Sequence, residues 1–183
     1  MRRDAEHGFS LIETVIAVSL LALGVSALAQ VVLFAVRASA ATERLSVAQQ
    51  AARERLEQLR ALAWTSDAGT IPISDWATDL TRTPPAASGG AGLGVSPESA
   101  LASNTAGYCD FLDASGRWLS AATRAPAGAA WTRRWSITYL PGEDDVLVMQ
   151  VVVVPAHPTG VIASTPTAPG GAWLATMRHR GAR

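Results

Sequence analysis

Gly8-Phe9-Ser10-Leu11-Ile12-Glu13 opens an apolar run that ends near Val36, and the reading of this stretch decides the fold. A polar octapeptide, Met1 to Gly8 (MRRDAEHG), precedes it. From Phe9 to Val36 the one charged side chain is Glu13. The segment Thr14 to Val36 reads TVIAVSLLALGVSALAQVVLFAV. As a helix it extends about 34 Å, enough for a hydrocarbon core of about 30 Å. A secretory signal peptide would place its small-residue cleavage site after a short apolar core. Here the small residue at a sharp boundary, Gly8, stands before the run, and the run is too long for such a core. The expectation is therefore a retained membrane span. Gln30 is its one strongly polar side chain after Glu13, and Gly24, Ser26 and Ala27 are narrow positions where another helix could approach.

Past Arg37 the composition changes while the helix is expected to continue. The stretch RASAATERLSVAQQAARERLEQLRALAW contains no Gly or Pro and consists mostly of strong helix formers. Leu45, Ala48, Ala52, Leu56, Leu59 and Ala63 recur at three- and four-residue steps and form one apolar stripe, with Arg44, Arg53, Glu54, Glu57 and Arg60 off it. The pattern predicts one helix from about Leu11 to about Trp64, on the order of 80 Å long. Its first half is apolar all round, and its second half needs a compact partner on one side. Charge does not orient the span, because Arg2 and Arg3 precede it while Arg37, Arg44, Arg53 and Arg55 follow it.

Residues 65 to 107 are rich in Gly, Pro, Ala, Ser and Thr, including Pro84-Pro85 and Ser88-Gly89-Gly90-Ala91-Gly92, and are expected to form loops without a regular element. Ile71, Ile73 and Trp76 are expected to dock locally. From Tyr108 onward the pattern is that of an antiparallel sheet. Tyr108 to Leu112 and Arg117 to Leu119 flank Asp113-Ala114-Ser115-Gly116, a turn-forming tetrad. Trp131, Trp135, Ile137 and Tyr139 alternate with polar residues, which predicts a half-buried strand, with Arg133 awkwardly on the apolar side. Pro141 to Asp145 reads as a hairpin loop. Val146 to Val154 (VLVMQVVVV) is apolar on both faces and is expected to be the central strand. Pro158 to Gly171 reads as a loop, Trp173 to Met177 as a last strand, and the chain from Arg178 as a frayed tail. The fold class is thus α+β, a long N-terminal helix packed on a small antiparallel sheet domain. The organisation is a leader at 1–8, an apolar helix half at 9–36, an amphipathic half at 37–64 and a loop-rich sheet domain at 65–183.

The 183 residues carry fifteen basic and fifteen acidic groups, so no global charge draws the chain toward nucleic acid or an anionic membrane. A single cysteine, Cys109, rules out an intrachain disulfide but does not assign a compartment. Cys109, His157 and an aspartate could be imagined as a thiol triad, yet nothing in the sequence places them together. No glycine pattern matches a phosphate loop and no spacing suggests a metal site, so neither enzyme activity nor a cofactor is expected. Arg124, Arg133, Arg134, Arg178, Arg180 and Arg183 are the one arguable basic set. After Trp64 there are nine acidic residues against eight arginines, so a solvated surface is expected rather than a nucleic-acid site.

Two readings of Glu13 follow from the residues. Ser10-Leu11-Ile12-Glu13 matches the S-x-x-E capping box, so its carboxylate could satisfy a helix N-terminus. Alternatively, a carboxylate in hydrocarbon costs about 2.5–3.5 kcal/mol on insertion scales, and a cationic partner there would select a register strongly.

Gly8-Phe9-Ser10-Leu11-Ile12-Glu13 with its apolar run resembles the cleavage and methylation motif of type IV prepilins and type II secretion pseudopilins. The resemblance covers roughly residues 1 to 64. It implies that a prepilin peptidase cuts after Gly8 and that the new Phe9 amine is methylated. It implies that the Glu13 carboxylate pairs with the Phe9 amine of a neighbouring subunit, although Phe9 and Glu13, four apart, could also pair within one chain. It implies an inner-membrane anchor with the leader side cytoplasmic and the sheet domain periplasmic, and other pilins or pseudopilins as partners. Main filament subunits commonly carry a proline within the apolar run, and here no proline occurs between Phe9 and Trp64. That departure points to a minor subunit, most similar to the PilV-type pilus modification proteins, with secretion-system minor pseudopilins next.

Overall fold

The structure is a computed structural model and describes residues 10–66, 72–156 and 170–180. Helix α1 runs Leu11–Ala61. The strands are β1 Trp64–Ser66, β2 Pro72–Ser74, β3 Cys109–Leu112, β4 Trp118–Ser120, β5 Trp131–Leu140, β6 Glu143–Pro155 and β7 Ala172–His179. One long N-terminal helix with antiparallel sheets is the expected α+β layout and is consistent with a type IV pilin fold. The chain divides into two compact units, Met1–Ala41 and Thr42–Arg183.

In the first unit α1 is uncovered. Its large apolar side chains, from Leu11 to Val36, are all more than half exposed, and Phe34 is 74 % exposed. It is the one described helix long and apolar enough to cross a membrane.

In the second unit a five-stranded antiparallel sheet of order β4-β3-β5-β6-β7 lies against the C-terminal part of α1. Ala48, Ala51, Ala52, Leu56 and Leu59 of α1 pack on Leu112 of β3, Trp131, Trp135 and Ile137 of β5, and Leu147, Met149, Val151 and Val153 of β6. The predicted stripe is therefore buried at Ala48, Ala52, Leu56 and Leu59. Leu45 and Ala63, at its ends, are exposed.

The helix stops three residues short of Trp64. Leu62 N–H bonds to the Leu59 carbonyl in a tightened last turn, and Trp64 starts β1 instead. β1 pairs with β2 (Trp64↔Ser74, Thr65↔Ile73, Ser66↔Pro72), so residues 65–107 do contain a regular element where loops alone were expected. The hairpin is tied back by a bond from Asp75 N–H to the Ala63 carbonyl. Ile71 lies outside the described residues, and Ile73 and Trp76 remain about half exposed. The docking residues of this stretch are Leu80 and Leu93, both buried in the core. Side-chain turns hold the backbone between them. Asp75 Oδ1 accepts from the N–H groups of Ala77 and Thr78, and Asp79 Oδ1 from Thr81. Gly90 passes so close to Asp79 that a Cβ would lie 2.1 Å from its Cα.

The Asp113–Gly116 turn between β3 and β4 forms as expected. Gly116, at φ +86°, donates to the Asp113 carbonyl, and Asp113 Oδ1 accepts from the N–H groups of Ser115 and Arg117. Strand β5 departs from expectation, because its first seven residues are buried on both faces. Segment 96–104 covers the second face. On that face Arg134 donates to Asn104 Oδ1 and the Leu101 carbonyl, and at the edge of β5 beyond the end of β3 the Ser96 N–H and hydroxyl donate to the Ile137 carbonyl. The middle of the sheet is consequently β5, and β6 is the inner strand beside it. The hairpin between them turns on Pro141-Gly142 alone, with Gly142 at φ +85°, so Glu143, Asp144 and Asp145 belong to β6. Strand β7 runs past Met177 to His179. Arg178 is no frayed tail, since its guanidinium donates to the Arg60 and Leu62 carbonyls at the end of α1. Nearly all of the expected loop 158–171 lies outside the described residues.

Candidate functional site

Gly8 and Phe9 lie outside the described residues, and Ser10 is where the site begins. Ser10 caps α1. Its Oγ accepts from the Ile12 N–H at 3.3 Å, and its carbonyl accepts the Thr14 N–H at 3.2 Å, the first bond of the helix. The side-chain bond goes to the second helical residue and not to Glu13. The Glu13 carboxylate sits exposed in the first turn and makes no hydrogen bond or ion pair among the described residues. It stands at the positive end of the helix dipole, and its acceptors meet no donor among the described residues.

Behind Glu13 the polar hydroxyls of the apolar run satisfy themselves. Ser19 Oγ donates to the Val15 carbonyl and Ser26 Oγ to the Ala22 carbonyl, each at 2.8 Å. A hydroxyl bonded to the carbonyl four residues back costs little in an apolar surround. Among the described residues, the chemistry available here is one exposed carboxylate at the head of a long, uncovered apolar surface.

The other residues singled out from sequence do not converge. Cys109 is fully buried, its Sγ 3.6 Å from the Ala122 carbonyl, and burial pushes its thiol up to about 11. Such a thiol stays protonated and is no nucleophile. His157 is outside the described residues. Among the arginines, Arg124 is exposed, Arg133 and Arg134 are buried, and Arg178 serves helix carbonyls. Arg180 pairs with Asp145 at 3.0 Å and stacks 4.7 Å from the Trp64 ring. Arg183 is not among the described residues. No group of three or more metal-ligating side chains occurs among the described residues.

A buried charge cluster escaped the sequence reading. Asp110 of β3 receives Arg133 of β5 through two bonds, Nε to Oδ1 at 2.9 Å and Nη2 to Oδ2 at 2.7 Å, and also pairs with Arg55 of α1. Arg133 further donates to the Ala51 carbonyl and the Thr83 hydroxyl, and Arg55 to the Leu80 carbonyl. The Arg55 guanidinium lies 4.4 Å over the Trp135 ring. All three charged side chains are fully buried. Burial and then the neighbouring Arg133 lower Arg55 from 12.5 to about 10, so it stays charged at neutral pH. The awkward position of Arg133 was one signal of this cluster. The other was that Arg55, three residues after Ala52 and four before Leu59, falls on the apolar stripe.

Residues 3–29 match the family model of the prokaryotic N-terminal methylation motif. Neither the curated proteins nor the solved structures contain a match to the chain. The motif is carried by pilin-like structural proteins, which are not enzymes, and here it coincides with the Ser10 cap, Glu13 and the uncovered apolar part of α1. The N-terminal segment therefore supports a type IV prepilin-like protein, of pilin or pseudopilin kind, consistent with a membrane-anchored pilin.

Proposed function

We propose that the chain is a minor, non-enzymatic subunit of a type IV pilus filament, made as a prepilin and anchored in the inner membrane before assembly. The observation that carries this is the match over residues 3–29, a stretch that holds Gly8, Phe9 and Glu13 and runs into the uncovered apolar part of α1. Prepilin peptidase cuts between Gly8 and Phe9 and the Phe9 amine is methylated. The anchor keeps the leader side cytoplasmic and the sheet domain periplasmic. The exposed carboxylate of Glu13 then meets the Phe9 amine of a neighbouring subunit, and the apolar surface exchanges lipid for the helices of related pilins. A minor role is favoured by the absence of proline throughout α1. Membership among the PilV-type pilus modification proteins is the finest form of this reading.

Mass spectrometry of the chain purified from its native host tests processing. A methylated N-terminal Phe9 is expected, and a chain still beginning at Met1 refutes it. Glu13→Ala is expected to be cleaved normally and to be lost from filaments. Incorporation at the wild-type level refutes the assembly role. The same motif serves type II secretion pseudopilins, and co-purification with pilus or with secretion components separates the two.

A further inference from the structure

Gln30 is the one polar side chain of the apolar run, between Glu13 and Arg37, that is neither a self-bonded hydroxyl nor engaged elsewhere. Ser19 and Ser26 donate to carbonyls four residues back, and Thr14 donates to the Ser10 carbonyl. The Gln30 amide has two donors and an acceptor, and among the described residues none is used. At 3.6 residues per turn Gln30 shares a face with Ser19, Leu23, Ser26 and Ala27. Leu21, Val25, Leu28 and Val32 occupy the opposite face. In hydrocarbon an unsatisfied amide is unfavourable and finds its partner on another helix.

We propose that, while the chain is anchored in the membrane, this face pairs with the same face of a second copy through a Gln30–Gln30 amide contact. The inference rests on the anchored reading above. The occupant follows from two properties of the residue. A carboxamide is self-complementary, each donating to the other's oxygen, so identical chains satisfy one another in a parallel, two-fold pair. Copies inserted in one orientation also carry Gln30 at the same depth, and the nearest other polar side chain of the run, Ser26, is already bonded within its own helix. Ser26 and Ala27, one turn before Gln30, are small enough for the two backbones to come within reach of the short amide side chains, and Leu23 a turn further back packs against its own copy.

The test uses the full chain in phosphatidylcholine vesicles, with flotation as the check on anchoring. Donor- and acceptor-labelled chains carrying Glu43→Cys report association by energy transfer, the buried Cys109 being shielded from label. Gln30→Leu is expected to weaken association about threefold to thirtyfold, and Gln30→Asn to stay within about threefold of wild type. Single cysteines are expected to cross-link at Leu23, Ser26 and Ala27 and not at Leu21, Val25 or Leu28. Undiminished association of a floating Gln30→Leu chain, or cross-linking equal around the helix, overturns the pairing and leaves the anchor standing. A Gln30 effect found only in native membranes assigns the face to a different membrane protein and overturns the second copy as occupant. A chain that does not float overturns the anchor, and the pairing with it.

Discussion

Replacing Asp110 by Asn keeps its shape and removes the single negative charge that holds two buried guanidiniums. In the native structure Asp110 accepts two bonds from Arg133 and one from Arg55, and all three side chains are fully shielded from water. The nearest remaining anion is Glu54, 3.9 Å from Arg133 and 43 % exposed, which compensates little. The substitution therefore leaves two like charges facing each other in the core. Breaking a buried pair by removing one partner costs about 3–5 kcal/mol, and the loss of two partners at once places Asp110→Asn at the upper end. Against a typical total of about 5–15 kcal/mol this is a large fraction of the stability. For a unit of this size it lowers the melting temperature by about 10–20 °C. The assay is thermal and urea unfolding of the full chain in detergent, followed by circular dichroism. A parallel variant removes the whole cluster, Arg55→Met with Asp110→Leu and Arg133→Met. With no stranded charge it is expected to melt near or above wild type. An Asp110→Asn chain melting within about 2 °C of wild type would refute the reasoning, because Arg55 and Arg133 would then be solvated or compensated in a way the geometry does not contain.

Cys109 is expected to resist maleimide at pH 8 until the chain is unfolded. Native-state labelling at the rate of a free thiol contradicts its burial. Because folding raises this thiol from 9.0 to about 11, the native state holds the extra proton between those values. Stability from this group is complete below about pH 9 and lost as pH rises to about 11, by no more than about 3 kcal/mol. Cys109→Ala should flatten that part of the pH profile, and an unchanged slope counts against it. Leu80→Ala, in a loop yet fully buried, is expected to cost about 2–5 kcal/mol in urea unfolding; a cost below about 1 kcal/mol would mean the loop is not core. Arg178→Ala frees the Arg60 and Leu62 carbonyls and should cost about 1–2 kcal/mol, with faster amide exchange confined to the last turn of α1 and β1. Uniform exchange across the unit would argue against a local cap.

Much of the architecture was legible in the residue pattern. An uninterrupted run of helix formers with no Gly or Pro past Arg37 gives α1, and three- and four-residue spacing gives the face it buries at Ala48, Ala52, Leu56 and Leu59. The Asp113-Ala114-Ser115-Gly116 tetrad, the apolar run of β6 and the last strand around Trp173 were also readable, because turn chemistry and side-chain alternation are local properties. In the candidate site, the S-x-x-E spacing placed Ser10 at the head of α1, while the reciprocal bond it suggests for Glu13 does not form among the described residues. The motif match supports the prepilin reading that the same residues suggested.

Tertiary structure decided the rest, and the reason is distance along the chain. Arg55 and Asp110 stand 55 residues apart, and Arg133 a further 23 beyond Asp110, so nothing local reports that they neutralise one another in one core. The burial of β5 on both faces depends on segment 96–104 folding across it, which the alternation within β5 cannot encode. Leu80 and Leu93 look like stray apolar residues in a Gly/Pro-rich stretch until Asp75 and Asp79 turn the backbone and carry them inward. By itself the sequence determined the long helix, its apolar and amphipathic halves, and the motif at its head, all properties of near neighbours on one chain. Which charges lie buried together, which strand is central and which loop residues complete the core were decided only when distant segments met.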